Sequence, residues 1–298
     1  MSGDVAIAGA GQETGKHRVL ARFLRNRPGV AALVVVLAVV FTAVFAPYLA
    51  PYNPDEQFFD GLTLEGMPLP PSQRFPLGTD LLGRDLLSRL IYGARVSLVI
   101  GVVANGAALA IGVVLGTAAG YIRGRVGQVI MRFTDLMMAF PALILAIALA
   151  AILRPSMWIV ALVIALVNWV WIARVVYSQV LSLAEQEFVT AAVALGASRG
   201  RVFFRHLIPH LVPTIIVWGT LGIASSVLLE ASLSFLGVGV QPPTPSWGGI
   251  INESQSYFLD APWLVAFPGA AILVTSLAFN LLGDGLRDAL EPDRTGDV

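Results

Sequence analysis

Cysteine is missing from this chain and charge is scarce. With 0 cysteines in 298 residues, disulfides, Cys-type zinc sites, Cys-ligated iron–sulfur clusters and thiol catalysis are excluded, while the redox compartment stays open. Charged residues make up 13% of the sequence against 56% hydrophobic ones, and the mean hydropathy is +0.77. A water-facing surface usually carries far more charge, so lipid is the expected solvent for much of the chain. The formal net charge of +0 gives no basis for nucleic acid as a partner. A phosphate-cradling loop is lacking too. Gly11 to Lys16 has the wrong glycine spacing, His17 where Ser or Thr is required, and no preceding strand.

What the chain does have is apolar length. A bilayer core takes about 20 mostly apolar residues per helix. Six stretches meet that rule: residues 30–49, 96–121, 133–153, 157–177, 213–236 and 263–282. Each is apolar all round, with interspersed Gly, Ala and Ser that let helices approach closely in lipid, and none alternates as barrel strands do. The expected fold class is an all-α integral membrane protein with six transmembrane helices. The first run follows basic residues and ends near Ala46 and Ala50, as a cleaved signal peptide would. It is longer than an h-region of about 7–15 residues, which favours a retained span.

Lys16, Arg18, Arg22, Arg25 and Arg27 precede that run and place the N-terminus in the cytoplasm by the positive-inside rule; six spans return the C-terminus to the same side. Arg123, Arg125 and Arg132 after the second span agree, as do Arg199, Arg201 and Arg205 after the fourth. The loop after the first span dissents with Arg74, Arg84, Arg89 and Arg95. It also holds Asp55, Glu56, Asp60, Glu65, Asp80 and Asp85, and the rule weakens for longer loops. The expected organisation is a cytoplasmic tail over 1–29, a transmembrane domain over 30–283 and a cytoplasmic tail over 284–298. Within the transmembrane domain, 51–95 is an extracytoplasmic segment and 179–212 a cytoplasmic loop. Residues before about Gly15 are expected to be flexible.

In the segment 51–95, Pro68, Pro70 and Pro71 lack backbone donors and set an extended or turning path. Thr79 or Asp80 then caps a short helix with Leu81, Leu82, Leu86, Leu87 and Leu90 on one face. A pair between Asp85 and Arg89 at i,i+4 outweighs metal ligation by Asp80 and Asp85. The stretch 185–209 is too polar to span and too helix-prone for a linker. Glu187 near its start and Arg199, Arg201 and Arg205 near its end suit two short helices broken at or near Gly196. Small residues on such a helix leave a smooth knob that a partner's groove accepts.

Thr190-Ala191-Ala192, three residues, Gly196, and after nine more His206-Leu207-Ile208-Pro209 resemble the EAA loop of binding-protein-dependent ABC importer permeases. Thr190 stands where the name-giving Glu usually sits and His206 where Ile is common; Glu187 lies one short turn earlier. Further stretches narrow the resemblance to the C-type permease of dipeptide and oligopeptide importers. They are Phe75-Pro76-Leu77-Gly78-Thr79-Asp80, Tyr92-Gly93-Ala94-Arg95, Glu230-Ala231-Ser232-Leu233-Ser234-Phe235-Leu236-Gly237, Pro245-Ser246-Trp247-Gly248 and Gly283-Asp284-Gly285-Leu286-Arg287-Asp288.

The resemblance implies an ABC importer type I permease bundle with no catalytic site and no cofactor of its own. It implies coupling to two ABC ATPase subunits, which use ATP and Mg, through Glu187, Thr190, Ala191, Ala192, Leu195, Gly196, Ala197 and Ser198. It also implies a homologous B-type permease as heterodimer partner, an extracytoplasmic substrate-binding protein, and peptide as substrate. The same architecture serves nickel or other small solutes, and the permease residues do not separate these. An ion-coupled secondary transporter is the contrary reading; the paired ionisable groups such proteins place near mid-bilayer are few here.

Among polar residues near the spans, Asp135 and Arg174 read as a structural pair or as snorkelling side chains. Glu230, with Ser232, Ser234 and Trp247, is a candidate for the translocation path or outer gate, and Glu230 reads equally as a helix-packing contact. Trp247, Trp263, Tyr257 and Phe258 suit an interfacial aromatic belt better than a docking contact. His206 and His210 stand at i,i+4, but Pro209 between them and the lack of a third ligand argue against a metal.

Overall fold

The computed structural model describes residues 19–153 and 156–290; the flexible stretch expected before Gly15 lies outside them. Among the described residues the fold is helical, with two isolated β-bridges, Leu62 with Pro68 and Thr79 with Asp85. The helices are α1 Arg27–Val44, α2 Ala46–Leu49, α3 Leu86–Ile122, α4 Gly124–Met138, α5 Ala142–Ile152, α6 Met157–Leu183, α7 Glu187–Ala194, α8 Arg199–Val202, α9 Ile208–Phe235, α10 Trp247–Ser254 and α11 Trp263–Leu290. Five helical stretches are long and apolar enough to cross a bilayer, and α4 with α5 makes a sixth only if that pair, bent by 90°, is one span. The end of the bundle carrying residues 51–85 and 237–262 is called upper below, and the end carrying 184–207 lower.

The sequence boundaries shift for identifiable reasons. The expected third span, 133–153, is interrupted at Pro141, which supplies no N–H and pushes Phe140 away from helical backbone angles. No separate short helix begins at Thr79 or Asp80. Instead Asp85 caps α3 itself, its Oδ2 accepting from the Ser88 N–H at 2.7 Å and the Ser88 hydroxyl at 2.6 Å. With Leu86 and Leu90 thus in α3, that helix has 37 residues, about 55 Å, and outruns a bilayer core of about 30 Å. Both presumed tails are partly ordered. Residues 19–25 are helical with Phe23 buried, and α11 runs on to Leu290. The two meet where Gly29 and Gly285 leave room for backbone contact.

Helices α3 and α6 share the most extensive interface. Gly112, Gly116 and Gly120, one turn apart on α3, face Ile172, Ala173 and Val180; a Cβ at any of them would collide with α6. Without an apolar driving force between helices in lipid, such backbone approach and its dispersion contacts hold the pair. At the lower end Asp135 on α4 forms an ion pair with Arg174 on α6, and Arg123 pairs with Glu185 at 3.0 Å. The pair expected of Asp135 and Arg174 is therefore present.

At the upper end four charges close on one another. Asp80 Oδ2 meets Arg84 Nε at 2.7 Å and Arg89 at 2.9 Å, and Glu253 Oε2 meets the same two guanidiniums at 2.9 and 3.0 Å. The expected Asp85–Arg89 pair is thus corrected: Asp85 is committed to the helix cap, and Arg89 turns to Asp80 and to α10. Burial pushes the Glu253 carboxyl above its usual range, with the Arg84 guanidinium opposing.

Candidate coupling loop and translocation residues

The loop from 184 to 207 is built on an anchored helix. Val189 is buried and Phe188 half-buried in a cluster with Val180, Val202, Leu207 and Leu211. That packing turns Glu187, Thr190, Ala191 and Leu195 to the outside, with Leu195 89% exposed. Glu187 opens α7, where a carboxylate favours the helix dipole. The Thr190 hydroxyl bonds back to the Gln186 carbonyl at 3.4 Å within its own helix.

Gly196 ends α7 with φ +82°. Its N–H bonds the Val193 carbonyl at 2.9 Å and the Ala197 N–H bonds the Ala192 carbonyl at 3.0 Å, a closure that uses the left-handed region where glycine has no steric penalty. Ser198 then caps α8 through the Arg201 N–H. Two short helices broken at Gly196 are therefore present, with one addition. The second does not stop but passes through a π-helical turn, Phe203–Leu207, into α9. Pro209 has no N–H for the Arg205 carbonyl, and the wider turn relieves the misfit.

Glu187, Thr190, Ala191, Ala192, Leu195, Gly196, Ala197 and Ser198 thus lie together on one protruding elbow, Ala192 and Ala197 half-buried and the rest exposed. His206 and His210 are held by packing. Phe188 stacks on His210 at 4.6 Å with the rings 16° apart, and His210 Nδ1 lies 2.6 Å from the His206 carbonyl. No metal-binding cluster of His, Cys, Asp or Glu occurs among the described residues.

Glu230 lies wholly inside the chain. Ser97 Oγ on α3 and Ser234 Oγ donate to its carboxyl at 2.8 and 2.7 Å; the same two hydroxyls accept from the Trp247 and Val240 N–H groups. Trp247 is 2% exposed, its indole N–H on the Leu90 carbonyl and its ring against Gly93. An interfacial belt position for Trp247 is therefore a misreading: the small Gly93 admits the ring to the core, and Gly248 lets the start of α10 close on the Ala231 backbone. Ser232 bonds back to Leu228 and does not join the cluster. Of the two readings of Glu230, this geometry is that of a packing contact joining α3, α9 and the start of α10. Asn105 and Asn168, carboxamides in the middle of apolar spans, carry no formal charge to mark them; their polarity at mid-span is the signal the sequence holds for them.

Residues 112–296 match the family described as binding-protein-dependent transport system inner membrane component. The chain belongs to this family. Residues 17–71 of the permease also match the N-terminal TM domain of oligopeptide transport permease C. A di/tripeptide transport system permease protein of Pseudomonas aeruginosa is 45% identical over 271 residues, 91% of this chain and 89% of the relative. A dipeptide transport system permease protein of Alkalihalophilus pseudofirmus is 46% identical over 222 residues, 74% of this chain and 73% of the relative. A glutathione transport system permease protein of Pectobacterium atrosepticum is 43% identical over 272 residues, again 91% and 89%. Among solved structures, an inward-facing MetNI methionine ABC transporter superposes with a TM-score of 0.57 over 69% of this chain and 98% of that one, at 16% identity. That likeness is one of fold. The permease is thus a multi-pass inner-membrane protein with the type I bundle expected of it.

Proposed function

We propose that this permease forms half of a heterodimeric pore that imports short peptides, driven by two ATPase subunits that seat the α7–Gly196 elbow. The observation that carries this reading is the elbow's construction: Phe188 and Val189 fix it to the bundle while Leu195, at 89% exposure, and its small neighbours stand free to enter a groove. The names of the relatives support peptide as substrate. ATP and Mg belong to the ATPase subunits, a second homologous permease completes the pore, and an extracytoplasmic binding protein delivers the peptide. Both termini and the elbow face the cytoplasm, supported by the arginines around them. ATP-driven closure of the ATPases moves the elbows and biases the bundle between two states.

Gly196→Trp tests this reading. No atom lies within 4 Å of a Cβ built there, so the bundle accommodates the ring, while the left-handed backbone costs about 1–2 kcal/mol for an L-residue and the elbow becomes bulky. The variant is expected to insert and to assemble with the second permease, yet to lose coupling between ATP hydrolysis and dipeptide uptake in proteoliposomes. Wild-type uptake by Gly196→Trp would count against docking through the elbow.

A further inference from the structure

Asn105 on α3, Asn168 on α6 and Ser225 on α9 meet at a cavity of about 170 Å³ whose lining also includes Trp171, Trp218 and Gly222. Asn105, Asn168 and Gly222 all fall close to the middle of their helices, Leu86–Ile122, Met157–Leu183 and Ile208–Phe235, the depth at which polar groups are expensive unless used. Asn105 is 3% exposed; its Nδ2 donates to the Gly219 carbonyl at 2.6 Å, and Gly222 makes room for its Oδ1, which any Cβ there would strike. Asn168 reaches Ser226 Oγ at only 3.4 Å, which leaves most of its hydrogen-bonding capacity unspent. Trp171 is 54% exposed at this depth, whereas indoles in membrane proteins gather at the interfaces. Trp218 also borders a second cavity, of about 460 Å³, lined by Gln179, Thr214 and Arg287 toward the lower end, so polar side chains continue from mid-span along α6 and α9.

We infer that the mid-span cavity is a subsite for the main chain of a short peptide in transit, an inference that rests on the peptide-import reading above. A carboxamide offers one carbonyl and one NH₂, the groups a peptide bond itself presents, so Asn168 and Ser225 pair with a peptide backbone whatever its side chains. The indoles of Trp171 and Trp218 supply an apolar wall that tolerates varied side chains. No charged side chain lines this cavity, which disfavours a bare metal ion or a small anion as the occupant.

The test uses the full transporter in proteoliposomes, with radiolabelled alanylalanine uptake and binding-protein-stimulated ATP hydrolysis measured together. Asn168→Leu and Trp171→Ala are expected to lower uptake about tenfold, equivalent to about 1.4 kcal/mol, with stimulated hydrolysis preserved. Wild-type uptake by both variants overturns the subsite. Stimulated hydrolysis without dipeptide uptake by the unaltered transporter overturns the peptide reading itself, so the two failures are distinguishable. If the variants do not assemble, Ser225→Cys decides, because it places a single thiol on a chain with 0 cysteines. A hydrophilic maleimide is expected to label it, and alanylalanine to slow that labelling. A thiol that does not react, or reacts equally with and without the dipeptide, overturns the inference.

Discussion

Arg89 is 1% exposed and tolerates burial because Asp80 and Glu253 each meet one arm of its guanidinium. Removing that side chain leaves two carboxylates packed together with Arg84 alone between them. Arg89→Met is therefore expected to cost about 3–5 kcal/mol, read as a lower unfolding midpoint in detergent; an unchanged midpoint would mean the cluster adds no stability. The residue scale was only half legible in the sequence. The special role of Gly196 could be read, because a small residue after an Ala-rich helix points to a left-handed cap. The second carboxylate on Arg89, beyond Asp80, could not, because Glu253 lies 164 positions away and only the folded chain brings α10 over the start of α3. The burial of Trp247 is hidden for a related reason: room for its ring comes from the missing side chain of Gly93 on α3, far away in the sequence.

Hydropathy marks the helices wherever lipid alone sets their length. Hydropathy does not mark the part of α3 before residue 96, where polar side chains face other protein, nor the break at Pro141, since apolarity does not register a bend. Nor does hydropathy show that the second helix of the elbow is continuous with α9, because a π-helical turn has no sequence period of its own. The glycine seam of α3 gives this scale its prediction. At Gly116 an added Cβ would lie on top of the Ala173 carbonyl and against Val176. Gly116→Leu forces the two backbones apart, and overpacking of this kind typically costs about 1–3 kcal/mol. The expected result is poor assembly with the second permease and a lowered unfolding midpoint, whereas Gly106→Leu, at a position with nothing within 4 Å of a built Cβ, should assemble as the unaltered chain does.

Across the whole molecule the helical membrane bundle, with five spans and a sixth if the bent α4–α5 pair is one, and the family are legible in the sequence, because both rest on local signals: apolar runs long enough for a bilayer, and short motifs in a fixed order. The way the two ends are fastened is not. The upper end is closed by the Asp80–Arg84–Arg89–Glu253 cluster and by Glu230 with its serines, while the lower end leaves its elbow exposed beyond Phe188 and Val189. Amide hydrogen exchange should report this contrast. In detergent, amides along the α3–α6 seam are expected to exchange slowly and those of 187–198 quickly, with the latter slowing when the ATPase subunits are added. Equal protection of both regions in the isolated permease would contradict this distribution.

The glycine seam has a mechanical consequence. Where Gly112, Gly116 and Gly120 carry no side chain, α3 and α6 are separated at the seam by the short side chains of α6 alone, which leaves little to slide or repack between them. The elbow hangs from the lower end of α6, and the four-charge cluster is pinned to the upper end of α3. A close seam of this kind ties the two extremities together, while the chain departs from straight α-helix at the 90° bend by Pro141 and at the widened turn before Pro209.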